Sequence, residues 1–566
     1  LKRDLAALEA RRFDVLVVGG GIYGACIARD AAKRGLATAL IERDDFGALT
    51  SHNSFKLIHG GLRYLQQLDL ERLRQSATEQ RRWLRLAPHL VQPLAFVMPT
   101  IGHLTRGPEA LRLALWAYEF LSRRGAPETP RVPAGRVVDR ATGAALFGDG
   151  APASMNGAAI WHDVQMRNAD RLLLEIVEDA AAAGAVVANH VAAEGFVGRD
   201  PTRRIEGVEA RDRLTDTPLR IAGRLTINAA GPHAQYLLDA LPNRTTHSFG
   251  GLSRGLNLVV RRPLVRDHAL AVSSRRRSDS LVPRADGRLF FIQPWQGLSL
   301  IGTSHLVHEG SPDGFTFDDR WLDDFLAEIN DAYPPAGLTR EDVLYGYAGL
   351  TPAAEEPRGS EVQRSRRGVM VDHAQTDGLD GLVSLQGVKY TTARLVAEHV
   401  TDLAAAKLDT AIAACRTWQD PLPGARGFAA DTATAAATDR LPEGGAERDR
   451  LVADYGSRWS EVVALAEAAS PGPEALFAAR VRHAVRHEMA MRLDDVLVRR
   501  LDEVATGRLD ETRLATAAAI TADELGWTAA ETSRAVDALR DLVRRHCPAG
   551  LPGTPASRKE PADHAS

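Results

Sequence analysis

The run FDVLVVGGGIYGACIARDAAKRGLATALIERDD, beginning at Phe13, constrains this chain more than any other. Val15 to Val18 is a short apolar, largely β-branched stretch that ends on glycine, as a buried parallel strand does. Gly19, Gly21 and Gly24 follow in the order G-x-G-x-x-G. Helix formers occupy Ala25 to Arg34, and Gly35 stops them. A second strand then ends at Glu42. In such a unit the first glycine permits a tight turn and the second lets the backbone approach a pyrophosphate. The third lets the helix pack against the strand, while the helix N-terminus faces the phosphates. Glu42 falls about twenty residues on, where a carboxylate accepts ribose hydroxyls. It would repel the 2′-phosphate of NADP. The alternative, a glycine-rich turn that binds nothing, leaves the terminal acid without a reason. The unit predicts a dinucleotide but does not separate NAD from FAD.

Three other segments bear on that choice. TSHNSFKLIHGGLRYL (50–65) places Lys56, His59, Arg63 and Tyr64 around the Gly60-Gly61 turn, where the backbone can lie close to a ring. RLTINAAGPHA (224–234) is a strand ending in a turn of small residues that includes Ala230 and Gly231. GLVSLQGVKYTTARLVAEHV (381–400) is a strand, Gly387, and then Thr391 and Thr392 opening a helix, whose free N–H groups suit a flavin edge or a pyrophosphate.

On these residues the chain resembles the FAD-dependent glycerol-3-phosphate dehydrogenase family, within the wider D-amino-acid-oxidase-like flavoproteins. The family run T-S-x-x-S-x-K-L-I-H-G-G-L-R-Y-L is matched at Thr50, Ser51, Ser54 and Lys56 through Leu65. The family turn N-A-x-G-P is matched at Asn228 to Pro232, and G-x-K-x-T-T at Gly387, Lys389, Thr391 and Thr392. RHEMAMRLDDVLVRR (486–500) resembles the family's C-terminal helical motif. The resemblance implies FAD as cofactor and an α/β fold: a Rossmann-like FAD-binding domain, an antiparallel-sheet substrate domain and a C-terminal all-helical domain. The FAD-binding part is expected at 13–100, 150–235 and 340–410, and the substrate part mainly at 236–340. The resemblance also adds Leu57, Gly60 and Val191 to the cofactor contacts.

The reaction it implies is hydride transfer from C2 of sn-glycerol 3-phosphate to flavin, giving dihydroxyacetone phosphate. His59, Arg63, Tyr64 and Lys389 match the active-site face, with His59 as candidate base. The other reading of His59 is a hydrogen bond to flavin or backbone. Arg63 and Lys389 carry positive charge for a phosphate or a developing alkoxide. Arg364, from the cluster with Arg366 and Arg367, is chosen as the substrate-side arginine.

The substrate half departs from the family. The arginine of S-G-V-R-P-L is Thr351 here, the histidine of G-S-H is Asn257, and the aspartate of G-T-T-D is His305. Loss of charged hydrogen bonds, each worth about 1.5–3 kcal/mol, would weaken phosphate binding. Either other arginines restore that site, or the substrate is a different polyol phosphate or polyol. The long KLIHGGLRYL match speaks against an amine or amino-acid oxidase, and the retained His59, Arg63 and Lys389 speak against a decayed flavoprotein.

Composition limits the remaining possibilities. With 566 residues the chain needs more than one domain. A formal net charge of −3 speaks against nucleic acid, and SSRRRSDS (273–280) reads as a solvated hairpin turn. Three cysteines without close spacing fit a reducing, cytoplasmic setting. No apolar run reaches eighteen residues, and LKRDLAALEARR reads as a surface helix rather than a signal peptide. A segment rich in Pro, Gly, Ala and Thr (416–446) is expected to be a linker, followed by helices at 447–547 and a disordered tail at 548–566. Thr528 and Glu531 have capping-box spacing before the stripe Val536, Leu539, Leu542 and Val543. His483 and His487 are four apart on that region's helix but lack the H-E-x-x-H order, so no metal is expected. Quinone or oxygen is the expected electron acceptor. GPEALRLALWAYEFLSRRG (107–125) is the candidate for peripheral membrane contact, against an ordinary packed helix. A homodimer is the default assembly.

Overall fold

The structure is a computed structural model. It describes residues 1–65, 68–103, 107–122, 132–199, 203–241, 249–274, 289–353, 368–387, 389–442, 444–466, 472–548 and 550. Among these, two sheets, the helices packed with them and a set of C-terminal helices make up the molecule.

The first sheet has five parallel strands in the order Leu382–Gln386, Pro218–Asn228, Arg12–Val18, Thr38–Ile41, Val186–Ala188. The apolar strand Arg12–Val18 lies at its centre because both of its faces are covered. Helices Ile22–Lys33, Ala169–Ala182 and Ala393–Leu408 contribute to one apolar core on one side. An antiparallel pair, Val191–Arg199 and Arg204–Asp212, contributes to a second core. From Arg12–Val18 the chain runs outward to Thr38–Ile41 on one side, and its later strand Pro218–Asn228 adds on the other. That reversal opens a crevice at the C-terminal end of the central strand, where such sheets bind ligands.

The second sheet runs Val343–Pro352, Leu252–Val260, Leu298–His308, Leu289–Trp295, His268–Ser273, Val91–Ile101, Met155–Met166, Leu57–Ile58, with Arg136–Asp139 beside Met155–Met166. Its pairs are antiparallel except that of His268–Ser273 with Val91–Ile101. Here the expected division needs correcting. Residues 91–100, 155–166 and 343–352 were assigned to the FAD-binding part, yet their strands pair in the second sheet. Alternation along a strand shows which face is buried, not which strand lies beside it.

No strand follows Gln386 among the described residues, and the C-terminal part is helical. The expected linker is also corrected: it contains the helix Ala430–Arg440, with Ala437 buried. Its run of alanines favours helix more than the flanking glycines and prolines oppose it. The capping box at Thr528 and Glu531 is formed, and Leu539 and Val543 are buried. His483 lies 3.2 Å from Glu488. The stretch 273–280, expected to be a hairpin turn, lies outside the described residues from 275 on, and so does the tail from 551.

Candidate functional site

A cavity of about 1940 Å³ extends from the glycine turn to the inner wall of the second sheet. It exceeds the roughly 300–1,000 Å³ of an ordinary small-molecule pocket, so it has room for a dinucleotide and a substrate together.

At one end the glycines are required by contact. Gly19 has φ of +106°, and a Cβ there would stand 2.5 Å from the Ala229 carbonyl oxygen. A Cβ on Gly24 would stand 1.8 Å from the Gly19 carbonyl oxygen. Gly24 therefore serves helix–strand packing and lies behind the cavity wall, while Gly19 and Gly21 line it. Gly21 caps the helix Ile22–Lys33 without a side chain, and Ser51 Oγ takes the Ile22 N–H at 3.0 Å. Glu42 closes this end. Its carboxylate accepts the N–H groups of Gly20 at 2.6 Å and Asp44 at 2.9 Å. Burial, then the neighbouring Asp44, pushes its carboxyl up to about 7. Hydroxyl donors from a ribose would relieve that cost. The cradle fits FAD, which Gly19, Gly21, Ser51 and Glu42 would hold at the adenosine and pyrophosphate end.

Thr50, Ser54, Leu57, Val191, Ala230, Gly231, Gly387 and Thr391 also line the cavity. Lys56 differs from expectation: its ammonium turns away, donating to the His52 carbonyl at 2.6 Å and lying 4.3 Å from the centre of the Tyr347 ring. Its backbone has φ of +56°, which swings the fully buried side chain under the loop. Thr392 caps the helix Ala393–Leu408 and does not line the cavity, and Gly60 lies behind the wall against Tyr118 and Gln80. The side chain of Arg63 and all of Arg364, Arg366 and Arg367 lie outside the described residues.

His59, Tyr64 and Lys389 line the cavity as well. The Lys389 ammonium lies 4.2 Å from the centre of the Tyr64 ring. The backbone N–H of His59 donates to Thr391 Oγ1 at 3.1 Å, and its Nδ1 lies 3.0 Å from Asp163 Oδ2. The His59 side chain is 52% exposed, so the ring's other edge remains open to the cavity. Several contributors were not read from the sequence. Tyr23 donates its hydroxyl to the Lys389 carbonyl at 2.8 Å and accepts the Lys389 N–H at 3.1 Å. Asp163 and Gln80 brace His59 from the strand Met155–Met166 and the helix Leu70–Leu86.

The far wall is the second sheet. Register sets Gly255 opposite His305 and Ser253 opposite Thr351, so Asn257, Thr303, His305 and Thr351 share the inward face. Thr303 donates to Asn257 Oδ1 at 2.7 Å, and Thr351 donates to the Ser253 carbonyl at 3.4 Å. The three departures from the family pattern therefore occupy one patch.

Comparison with known proteins agrees with this geometry. Residues 14–403 match the family model of FAD dependent oxidoreductases, and 415–532 match the C-terminal domain of alpha-glycerophosphate oxidase. The glycerol-3-phosphate dehydrogenase of Synechocystis sp. is 31% identical over 567 residues, spanning 96% of this chain and 99% of that protein. Glycerol-3-phosphate dehydrogenase 1 of Mycobacterium bovis is 33% identical over 522 residues, spanning 88% and 92%. The glycerol-3-phosphate dehydrogenase from Bacillus halodurans, solved complexed with FAD, superposes with a TM-score of 0.73 at 26% identity, over 96% of each chain. The chain thus belongs to the FAD-dependent glycerol-3-phosphate dehydrogenase family of oxidoreductases.

Proposed function

We propose that this protein oxidises the C2 hydroxyl of sn-glycerol 3-phosphate to dihydroxyacetone phosphate. The observation that carries this reading is the single cavity that joins the dinucleotide cradle to His59, Tyr64 and Lys389. The near full-length relatives named for this activity support it. When bound, FAD supplies the two-electron chemistry by accepting the C2 hydrogen as hydride. His59 accepts the hydroxyl proton, because its open ring edge faces the space where substrate must lie. Lys389 stabilises negative charge developing on the C2 oxygen. Tyr23 fixes the Lys389 backbone and so aims that charge. The first sheet holds the cofactor, and the second sheet's inner wall orients the substrate.

A second reading has a specific observation in its favour. Thr351, Asn257 and His305 form one contiguous wall, and a wall changed at three neighbouring positions suits a different polyol phosphate or an unphosphorylated polyol. Steady-state turnover of an alcohol panel with an artificial electron acceptor separates the two. The first reading predicts the highest kcat/KM for glycerol 3-phosphate. A strong preference for any other alcohol refutes it.

Quinone or oxygen then takes the electrons, and an exposed apolar face on a helix that also lines the cavity favours quinone at a lipid surface. Helix Pro108–Ser122 buries Leu115 and exposes Leu113 and Trp116, with Phe120 stacked on Trp116. Leu68, 82% exposed, also lines the cavity beside this helix. No helix among the described residues is long and apolar enough to cross a membrane. Co-sedimentation with vesicles should be seen for the natural protein and lost in Leu113→Ser with Trp116→Ser. A dimer dissolved by the same changes, without vesicle binding, would assign the face to self-association and leave oxygen as the acceptor.

A further inference from the structure

We propose that Asp163 is a positioning residue that holds His59 in the tautomer able to take a proton from substrate. The proposal rests on the reading that His59 is the proton acceptor.

Asp163 is buried on the strand Met155–Met166, which lies antiparallel beside Leu57–Ile58, so it comes up directly behind the His59 turn. Both of its oxygens are engaged. Oδ1 accepts the Gly60 N–H at 2.7 Å and the Gln80 amide at 3.1 Å. Oδ2 lies 3.0 Å from His59 Nδ1. Gln80 cannot turn its carbonyl toward this carboxylate without loss, because the same amide nitrogen also donates to the Ile58 carbonyl at 3.1 Å. Tyr118 donates to the Gly60 carbonyl at 3.0 Å and pins the turn from the other side. Asp163 thus sits among donors, as an acceptor-only carboxylate does.

The consequence for His59 follows from the two ring nitrogens being distinct. A neutral imidazole has one N–H and one lone pair. Facing a carboxylate, Nδ1 must carry the hydrogen, so Nε2 carries the lone pair. Nε2 makes no hydrogen bond among the described residues and belongs to the half-exposed ring edge. When the C2 hydroxyl proton moves to Nε2, the new positive charge lies next to Asp163, and the ring needs no rotation. The carboxylate itself keeps no proton, as in the triad logic of hydrolases. The backbone bond from His59 to Thr391 fixes the ring's position, and Asp163 fixes its polarity.

The test uses FAD-loaded protein carrying ¹⁵N-histidine, with the His59 signals identified as those missing in His59→Gln. The expected natural state has a protonated Nδ1 and a bare Nε2. Asp163→Asn offers an N–H to Nδ1, so its His59 should show the reverse. The anaerobic rate of flavin reduction in Asp163→Asn should fall by about 10²-fold or more, with the flavin spectrum and unfolding midpoint retained. Asp163→Glu should recover part of the rate, and with the natural tautomer it carries the test if Asp163→Asn fails to fold. A bare Nδ1 in the natural protein, an unchanged tautomer in Asp163→Asn, or an unchanged reduction rate in Asp163→Asn when the natural protein is reduced, overturns the proposal. The expected tautomers in a protein that glycerol 3-phosphate does not reduce would support the role of Asp163 and refute the substrate reading instead.

Discussion

At the scale of single residues, steric fit and burial decide which side chains the cofactor end tolerates. Gly24→Ala drives a methyl group into the Gly19 carbonyl. Strain of about 1–3 kcal/mol should fall on the turn, weakening FAD about 10–100-fold, as flavin retained after dialysis would show. Glu42 gives a pH dependence of defined sign. Its folded value, about 7, lies above its unfolded one because burial disfavours the charged form. Its contribution to the FAD-free protein is therefore full below about pH 4 and is lost as pH rises through 7. Urea unfolding of FAD-free protein should show a Glu42→Gln variant gaining stability relative to the natural chain between pH 5 and 8, on the order of 3 kcal/mol. Both residues were legible in the sequence because their geometry is local: one turn and the strand beside it. Asp163 was not, since it lies 104 positions from His59 and reaches it only through strand register. Lys56 was misread for a related reason. A motif position names the residue, whereas backbone φ decides which way its side chain points.

Elements are tied together by a few buried polar links. Helix Ala393–Leu408 begins beneath the cavity and is fixed by Arg394, which pairs with both Glu79 oxygens at 2.7 and 2.8 Å. Arg394→Met should cost about 3–5 kcal/mol in chemical unfolding, because Glu79 would remain buried with less compensation. Tyr23 plays the matching part for helix Ile22–Lys33. Tyr23→Phe frees both backbone groups of Lys389, and it should lower the rate of flavin reduction more than it weakens FAD binding. At this scale the sequence showed the elements of the dinucleotide unit but not which distant strands share a sheet. The glycine-bounded parallel strands were assigned from their apolar runs. The long strands Val91–Ile101 and Met155–Met166 pair with each other in the second sheet, which the residue ranges assigned to the cofactor domain did not foresee. The helix Ala430–Arg440 was hidden by the glycines and prolines on its flanks.

Across the whole molecule, the C-terminal helices are joined to the cofactor domain by buried ion pairs. Asp45 follows the adenosine-end acid closely in sequence and meets Arg500 at 2.5 and 2.8 Å and Arg499 at 2.7 Å. Glu488 meets Arg171 at 2.5 Å. Burial alone would raise these carboxyls, but the guanidiniums hold both well below the usual range. Folded values below unfolded ones mean stability that is present above about pH 4 and lost as pH falls further. The melting midpoint should accordingly fall steeply below pH 4, and less steeply in Arg500→Met, which is already weakened at neutral pH. These links frame one cavity that has the glycine turn and Glu42 at one end and the wall of Asn257, His305 and Thr351 at the other. The measurement that tests the account most directly is anaerobic titration of the purified flavoprotein with sn-glycerol 3-phosphate, followed by flavin absorbance. Rapid, complete bleaching is the predicted result. A flavin that stays oxidised with glycerol 3-phosphate but bleaches with another polyol or polyol phosphate would contradict it, and would identify Asn257, His305 and Thr351 as the marks of a changed substrate.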